Sequence, residues 1–551
     1  MFSDDHPTRR HLLKVLTGLG VGSAIFQRAL VAAAEKAVTV TPDMVHQAEW
    51  IAGLDLADED RKSLAAGLNR SLQEFAAMRA VKLTNAVAPA LAFDPAPWMP
   101  PSKEGRSGTV EPISRTAPKK PDAGDDLAFL PVSSLAALVR NRQVSSVELT
   151  KLYLERLKKY DPKLLCVVTL TEELALKQAE QADREIAAGR YRGPLHGIPW
   201  GAKDLIAYPG YKTTWGAAPY KEQTLDTKAT VARRLDDAGA VLVAKLTLGA
   251  LAMGDQWFGG MTRNPWNPKQ GSSGSSAGSA SATAAGLVAF ALGSETLGSI
   301  VSPCRVCGTT GLRPTFGRVS RYGCMTLSWS MDKIGPITRS VEDCALVFGA
   351  IHGFDGLDAS AVDRPFSWPC SRDLRTLKVG YFDNGTAIDK RDDLRLLREI
   401  GVKLVPLKLP SKYPVDALQM ILGTEAAAVF DELTRNGVTE GLNSWPHTFR
   451  RGQFVPAVEY LRAQRIRSLV MQEMDEMMGK IDLYVGGNDL LLTNLTGHPT
   501  VVMPTGFRKA GETELPYSIT FTGRLYGETE LLAVAHAYQQ ATGHHLRRPS
   551  L

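Results

Sequence analysis

One stretch of the chain, from Gly271 to Ser302, restricts the possible folds more than any other. It reads GSSGSSAGSASATAAGLVAFALGSETLGSIVS, so small residues let backbones pack closely and leave hydroxyl groups uncovered. Glycine-rich turns before a helix also direct backbone N–H groups at one point, which suits an anion or an oxyanion. A solvated Gly/Ser linker has a similar composition, but the apolar interior at 284–292 is typical of a buried core. We call this stretch the serine segment.

Composition places the chain among soluble globular proteins. Of its 551 residues, 44% are hydrophobic and 22% are charged, which is ordinary for that class. The formal net charge of +6 is small for this length and is not concentrated in one region, so nucleic acid is not an expected partner. Nothing in the sequence fixes the oligomeric state.

The six cysteines allow more than one interpretation. Cys304 and Cys307 form a CxxC pair. A zinc site needs a second such pair or two histidines, and none follows at a suitable spacing. Small, buried apolar side chains are therefore the favoured interpretation. A disulfide remains open if the protein is exported.

The first 34 residues resemble an export signal. The sequence TRRHLLK at 8–14 resembles the twin-arginine consensus, an apolar stretch runs from Leu12 to Phe26, and the alanines at 32–34 fit an A-x-A cleavage site. The apolar stretch is too short to span a bilayer, which takes about 20 residues, so stable membrane insertion is not expected. We predict that the twin-arginine export machinery delivers the folded protein to the periplasm or the outside. A poorly ordered cytoplasmic tail is the alternative.

Three further regions follow the signal segment 1–34. Residues 35–93 are predicted to be a helical N-terminal extension, because Leu64, Leu68, Leu72 and Phe75 recur at helical spacing. Residues 94–125 are rich in Pro, Gly and Ser and predict an irregular linker over the main domain. The main domain is expected to occupy 126–551.

Within the main domain, helical and strand-like patterns alternate. This alternation predicts an α/β fold with a mixed or mostly parallel sheet. The expected elements are a helix opened by a capping box at Ser145, a turn at Asp161-Pro162, a strand over 165–170, a helix over 172–188, a helix over 230–238 and a strand over 241–244.

A lysine ends one apolar strand of this domain. The sequence PLHGIPWGAKDL at 194–205 places Lys203 after a run of apolar residues. Desolvation disfavours the ammonium form, so it lowers the pKa and allows a neutral amine to act as a base. A salt bridge, for example to Asp204, is the alternative role for this lysine.

Several motifs together resemble the amidase signature family. They are GIPWGAKDL around Lys203, GSSAGSASATAAG around Ser275, GSETLGSI around Ser299, TRNPWNP at 262–268, CGTTGLRPTFGRVS at 307–320 and NLTGHP at 494–499. The resemblance covers roughly 126–547 in the family's order. It implies an α/β fold with a large mixed sheet flanked by helices. It also implies an amidase that cleaves linear C–N amide bonds without a metal or organic cofactor.

The resemblance assigns roles to three residues. Ser299 corresponds to the nucleophile, Ser275 to the bridging serine and Lys203 to the base of a Ser–cis-Ser–Lys triad. The family separates its two serines by 24 positions, as Ser275 and Ser299 are separated here, whereas Ser272 and Ser273 do not fit. Ser276 is expected to support the hydrogen-bond network. The need for a base fits the chemistry, because a serine hydroxyl is a weak nucleophile until its proton is removed.

The resemblance also places the substrate contacts. The oxyanion hole is expected from the backbone N–H groups of Thr296, Leu297, Gly298 and Ser299, and Met253 is expected to line the substrate pocket through its backbone. No GxSxG elbow surrounds Ser299. The histidines His196 and His498 are either near the site or structural.

Four features depart from the family pattern. Glu295 replaces an aspartate, Leu297 replaces a glycine and Val301 replaces an arginine. If position 297 requires a positive φ, a leucine there would be strained. The segment 486–493 is also shorter than the family's loop over the substrate channel, so the substrate cannot be transferred from a relative.

Three functions remain open at this point. The first is an exported serine amidohydrolase that acts on a small-molecule linear amide through an acyl-enzyme on Ser299. The second is the glutamine-amidase subunit of a tRNA-dependent amidotransferase. The third is a catalytically impaired binding protein with the amidase fold, which Leu297 and Val301 would motivate.

Overall fold

The computed structural model describes residues 39–82, 91–100, 102–114, 116–487, 489–511 and 513–551. The predicted signal segment 1–34 lies outside the described residues. The helices are α1 Pro42–Ala48, α2 Asp58–Arg79, α3 Gly124–Ala128, α4 Val132–Arg140, α5 Ser146–Leu164, α6 Glu172–Ala187, α7 Thr230–Asp237, α8 Ala277–Ala284, α9 Val301–Cys307, α10 Val341–Ile351, α11 Asp392–Ile400, α12 Met420–Val429, α13 Asp431–Arg435, α14 Trp445–Gly452, α15 Ala457–Met478, α16 Leu490–Thr496 and α17 Glu528–Thr542.

The strands belong to one large sheet and two short hairpins. They are β1 Val167–Leu170, β2 Pro199–Lys203, β3 Val241–Leu246, β4 Gln256–Trp257, β5 Gly260–Met261, β6 Arg263–Asn264, β7 Asn267–Gly271, β8 Phe290–Glu295, β9 Thr310–Arg313, β10 Lys333–Thr338, β11 Lys378–Phe382, β12 Lys403–Leu407, β13 Leu483–Val485, β14 Thr500–Ala510 and β15 Thr513–Gly523.

In the described part of the chain the large sheet has eleven strands in the order β1-β3-β2-β8-β10-β9-β14-β15-β13-β11-β12. The pairs β2/β3, β2/β8, β11/β13 and β11/β12 are parallel, and the remaining neighbours are antiparallel. Every residue of β2, β3 and β10 is buried, as expected for strands covered by helices on both faces. The prediction of an α/β fold with a mixed sheet is confirmed.

One predicted turn is wrong. Asp161 and Pro162 lie inside α5, which continues to Leu164 and ends with Leu165 in the left-handed conformation. The Asp161 carboxylate accepts the backbone N–H groups of Cys166 and Val167 at 2.7 and 2.9 Å. The carboxylate therefore binds the backbone that follows the helix. The strand β1 begins only at Val167.

The same helix begins as its sequence predicts. Ser145 Oγ accepts the backbone N–H of Glu148 at 2.9 Å, which satisfies a helix N-terminal donor. The second half of the capping box is not formed, because the Glu148 carboxylate accepts Lys120 Nζ at 2.7 Å instead.

The described part of the N-terminal extension contains the two helices α1 and α2. A 3₁₀ turn at Glu49–Ala52 separates α1 from α2, and α2 packs on α14 and α15. Ion pairs join the extension to these helices: Arg450 contacts Asp60 at 2.5 Å and Arg79 contacts Glu459 at 2.7 Å. Much of the segment 94–125 is irregular, and its Val110 pairs with Trp368 of the main domain.

The cysteines are all unpaired, and Cys304 and Cys307 are buried thiols on α9. The open possibility of a disulfide between them is therefore not realised. Burial raises the pKa of Cys304 to about 12. Across the residues that the structure describes, no helix is long and apolar enough to cross a membrane.

Candidate active site

The sheet brings the lysine and the serine segment to one edge. Strands β2 and β8 are parallel neighbours, so Lys203 at the end of β2 and Glu295 at the end of β8 lie at the same edge of the sheet. The serine segment enters α8 just after Ser275 and Ser276, and it enters α9 just after Ser299. Both serine turns therefore lie beside the end of the lysine strand.

Lys203 is bound by three hydroxyl groups. Its Nζ donates to Ser275 Oγ at 2.8 Å, to Ser276 Oγ at 3.0 Å and to Ser294 Oγ at 2.9 Å. The side chain is completely buried. Among the described residues it forms no ion pair, because the neighbouring Asp204 pairs with Lys245 at 2.7 Å.

This burial changes the acidity of the lysine. Desolvation lowers the pKa of Lys203 to about 7, and the negative charges of Asp332 and Glu295 oppose the decrease. An amine with such a pKa exchanges a proton readily near neutral pH, which is what a general base requires.

The backbone around Ser275 is tightly fixed. The Gly274–Ser275 peptide bond is cis. A Cβ atom on Gly274 would lie 1.9 Å from the carbonyl oxygen of Gly254, so only glycine allows this approach. Ser276 then links the two serine turns, since its N–H donates to the Ser299 carbonyl at 3.0 Å.

Ser276 also connects the turns to β8. Its Oγ donates to the Ser294 carbonyl at 3.1 Å and accepts the Ser294 N–H at 3.1 Å. Within the described residues, no hydrogen bond joins Ser275 Oγ to Ser299 Oγ. Such contacts are often long in an enzyme without substrate.

Gly298, and not Leu297, takes the left-handed conformation in the turn that carries Ser299. Gly298 has a φ of 79°, whereas Leu297 is absent from the residues with positive φ in the described chain. The expected strain at position 297 is therefore not present. Thr296 lies at the base of the turn, where its Oγ1 donates to Asp332 at 2.5 Å.

A buried carboxylate holds the other side of this turn. Glu295 accepts the backbone N–H groups of Ile300 and Val301 at 2.8 and 2.9 Å. It also accepts Arg313 at 2.7 Å and Asn494 Nδ2 at 2.8 Å. These partners overcome desolvation and lower its pKa to about 2. In the sequence, Glu295 stands out only as a departure from the family pattern, although Arg313 and Asn494 both lie in motifs of the family resemblance.

Met253 lies in the loop that packs against Gly274. Its carbonyl accepts Asn443 Nδ2 at 3.0 Å, so the carbonyl is already engaged by the chain. The two preceding residues, Leu251 and Ala252, both have positive φ. The following residue, Gly254, provides the carbonyl that approaches Gly274.

The two histidines have partners of their own. His498 is buried and shares a 2.8 Å hydrogen bond with Thr496 Oγ1, and burial lowers its pKa to about 3. His196 lies 3.3 Å from Glu185. In the described chain neither histidine is hydrogen-bonded to the serine–lysine centre. The same part of the chain contains no cluster of His, Cys, Asp or Glu suited to a metal ion.

A buried lysine among serine hydroxyls, next to a glycine turn that carries another serine, is an arrangement suited to hydrolases that use a serine nucleophile. Comparisons with known proteins agree. A family model described as Amidase matches residues 148–487. The chain therefore belongs to the amidase family, and the resemblance inferred from its motifs is confirmed.

Individual relatives cover most of the chain. A glutamyl-tRNA(Gln) amidotransferase subunit from Moorella thermoacetica is 33% identical over 491 residues, which is 77% of this chain and 99% of that protein. The solved peptide amidase of Stenotrophomonas maltophilia has a TM-score of 0.66 at 30% identity and covers 76% of this chain and 98% of its own. A bacterial aryl acylamidase has a TM-score of 0.67 at 22% identity, over 77% of this chain and 99% of its own, and supports the fold alone. The protein is thus an amidase-type C–N hydrolase or amidotransferase.

Proposed function

We propose that the protein hydrolyses a linear carboxamide through an acyl-enzyme on Ser299 and releases ammonia or an amine. The observation that carries the proposal is the 2.8 Å contact between Lys203 Nζ and Ser275 Oγ in a fully buried setting. Neutral Lys203 accepts a proton from Ser275, which accepts one from Ser299. The Ser299 oxygen then attacks the amide carbonyl.

Collapse of the tetrahedral intermediate needs a proton on the leaving nitrogen. Ser275 supplies it, and Lys203 replaces that proton. Water later attacks the acyl-enzyme by the reverse route, which returns the free acid and restores Ser299. General acid–base help of this kind contributes about 10²–10⁴-fold in rate.

The charge that develops on the carbonyl oxygen needs donors. The backbone N–H groups of residues 296–299 fill this role in the proposal. The Ser276-to-Ser299 hydrogen bond and the Glu295 carboxylate hold this turn from two sides. Loss of one such donor typically costs about 10²–10³ in rate.

A second candidate is the glutamine-amidase subunit of a tRNA-dependent amidotransferase. It is favoured by the relative from Moorella thermoacetica, whose name gives that role. Both candidates share the chemistry at Ser299. They differ in substrate and in the need for partner proteins.

The deciding experiment assays the full chain alone against peptide C-terminal amides, acylated amines, small carboxamides and glutamine. Released ammonia and amine are both measured. We expect hydrolysis of a non-glutamine amide that is lost in Ser299→Ala and Lys203→Ala. The buried serine variant Ser279→Ala, whose Oγ binds the Leu292 carbonyl at 2.9 Å, is the matched control and keeps activity.

Two results would change the assignment. Activity confined to glutamine, and only when amidotransferase partner proteins are added, would favour the second candidate. Failure of a fluorophosphonate to label Ser299 in the wild type would favour a catalytically impaired binding protein.

Export through the twin-arginine pathway is part of the proposal. It rests on the arginine pair in TRRHLLK at 8–14. The combined change Arg9→Lys and Arg10→Lys is expected to leave the protein in the cytoplasmic fraction, whereas the wild type is recovered outside it. Equal distribution of the two proteins would refute this part.

A further inference from the structure

Asp332 lies in the loop that precedes β10 and contacts the turn that carries Ser299. Its Oδ1 accepts Thr296 Oγ1 at 2.5 Å, and its Oδ2 accepts the backbone N–H groups of Leu327 and Ser328 at 2.8 and 3.0 Å. Thr296 is the first residue of the proposed oxyanion turn. The carboxylate therefore bridges that turn and a separate loop of the chain.

That loop is itself anchored from outside the site. Glu425 on α12 accepts the hydroxyls of Ser328 and Ser330 at 2.6 and 2.7 Å. Arg467 on α15 donates to Ser330 Oγ at 2.7 Å and to the Ser330 carbonyl at 2.8 Å. The guanidinium of Arg467 in turn lies 3.5 Å from the ring centre of Phe93. These contacts fix the position of Asp332, and its hydrogen bond with Thr296 in turn restricts the position of that residue.

The charge of Asp332 also acts on the lysine. Asp332 and Glu295 are the two negative groups that favour the protonated form of Lys203, and Asp332 has the larger effect. Glu295 is paired with Arg313 at 2.7 Å. The nearby Arg321 pairs with the carboxylate of another residue, Asp358, at 2.9 Å, and its positive charge also favours the ionised form of Asp332.

Among the described residues, Arg321 in the loop after β9 is the charged group that acts on Asp332 directly. The charged groups that act on its chain neighbour Lys333 on β10 are Glu295 on β8, Arg313 on β9, Asp332 itself and Arg467 on α15. Glu425 on α12 binds the loop that carries Asp332. Burial raises the pKa of Asp332 above its usual value, and its hydrogen bonds oppose that increase. Burial also lowers the pKa of Lys333.

We propose that Asp332 is a positioning residue of this enzyme: through its 2.5 Å hydrogen bond with Thr296 Oγ1 it fixes the oxyanion turn, and its carboxylate adds negative charge to the site that holds Lys203. The inference rests on the proposed function at Ser299. If Asp332 acts in this way, its replacement lowers the maximal rate at which Ser299 is labelled and also displaces the pH profile of that rate. A merely structural aspartate would not produce both effects.

The test measures the rate at which a fluorophosphonate labels Ser299 between pH 5 and pH 9, in the full chain. Labelling needs only an activated Ser299 and its oxyanion donors, so no amide substrate has to be known. Asp332→Asn is expected to lower the plateau rate about tenfold or more, because even a small displacement of the oxyanion donors slows the reaction at Ser299. Its acid limb is expected to move to lower pH than in the wild type, because a negative charge near Lys203 has been removed.

Three further variants separate the two effects. Thr296→Val is expected to lower the plateau by about 10–100-fold without moving the acid limb, because the charge of Asp332 is kept. Thr296→Ser restores the hydroxyl and is expected to recover most of the rate. Asp343→Asn is the matched control, because Asp343 is another buried carboxylate that accepts a backbone N–H, from Ser133 at 3.2 Å. The labelling profile of this variant is expected to have the acid limb and the plateau of the wild type.

The outcomes are distinguishable. No labelling of wild-type Ser299 would overturn the proposed function and this inference with it. Labelling of the wild type with the same plateau and acid limb in Asp332→Asn would overturn the inference alone. If Asp332→Asn does not fold, as judged by thermal melting, Thr296→Val decides, and a rate equal to that of the wild type refutes positioning through Thr296.

Discussion

The acidity of Lys203 gives the most quantitative prediction. Burial lowers its pKa from 10.5 to about 7, and the neutral form is the base in the proposed mechanism. The neutral fraction is then about one-tenth at pH 6 and about nine-tenths at pH 8. We therefore expect kcat/KM for an amide to rise about tenfold between these pH values and to level off above pH 8. An unshifted lysine would give a rate that still increases up to about pH 10.

The same burial has a consequence for stability, and its sign follows from linkage. The pKa of Lys203 is lower in the folded than in the unfolded chain. Below pH 7 the lysine is charged in both states, and burying that charge costs about 5 kcal/mol. The cost falls as pH rises from about 7 to 10.5, so the free energy of unfolding increases over this range.

Substitution of Lys203 by methionine measures this cost. Lys203→Met removes the buried charge but also removes the hydrogen bonds from Nζ to three hydroxyls, each worth about 1 kcal/mol. At pH 6 the free energy of unfolding is therefore expected to rise by about 2 kcal/mol while amide hydrolysis is lost. Lys245→Met is the matched control on the adjacent strand. It leaves the buried Asp204 without its ion-pair partner and should destabilise the protein by about 3–5 kcal/mol.

Urea unfolding at pH 6 and pH 9, together with the pH profile of kcat/KM, tests both parts. Equal destabilisation by Lys203→Met and Lys245→Met would refute the reasoning, since Lys203 would then be a structural cation. A pH profile without a limb near pH 7 would refute the assignment of Lys203 as the base.

Two further predictions concern the supports of the serine turns. Ser276→Ala removes the Oγ contacts to Lys203 and Ser294, so kcat is expected to fall about 10–100-fold with KM nearly unchanged in steady-state kinetics; a change confined to KM would contradict this role. Arg313→Met leaves Glu295 as an unpaired buried charge and is expected to lower the free energy of unfolding in urea by about 3–5 kcal/mol, with partial recovery in Arg313→Lys; wild-type stability in Arg313→Met would contradict the importance of the pair.

The proposed site's members can be predicted from the sequence more readily than their supports. Lys203 ends an apolar strand, but its role and those of Ser275 and Ser299 follow from the resemblance to the amidase signature family, whose two serines lie 24 positions apart. The motifs that carry this resemblance are each local in the chain. The structure then places Lys203 Nζ 2.8 Å from Ser275 Oγ, although 72 residues separate them.

The supports could not be predicted in the same way, because each depends on a side chain brought in by the sheet. Glu295 meets Asn494 across 199 residues of sequence, and Thr296 meets Asp332 across 36. Nothing in the local pattern of either residue specifies such a partner. The misplaced turn at Asp161-Pro162 has a different cause: the helix α5 continues through both residues to Leu164, and the Asp161 carboxylate accepts backbone N–H groups that follow the helix.

The departures from the family pattern can be judged by their surroundings. A leucine at position 297 replaces the family's glycine, but the left-handed conformation falls on Gly298. Val301 replaces an arginine, yet its side chain packs in an apolar cluster with Ile300 and Cys304, and its N–H is held by Glu295. The turn is therefore fixed by a carboxylate and by apolar packing. Neither substitution gives a structural reason for an impaired enzyme.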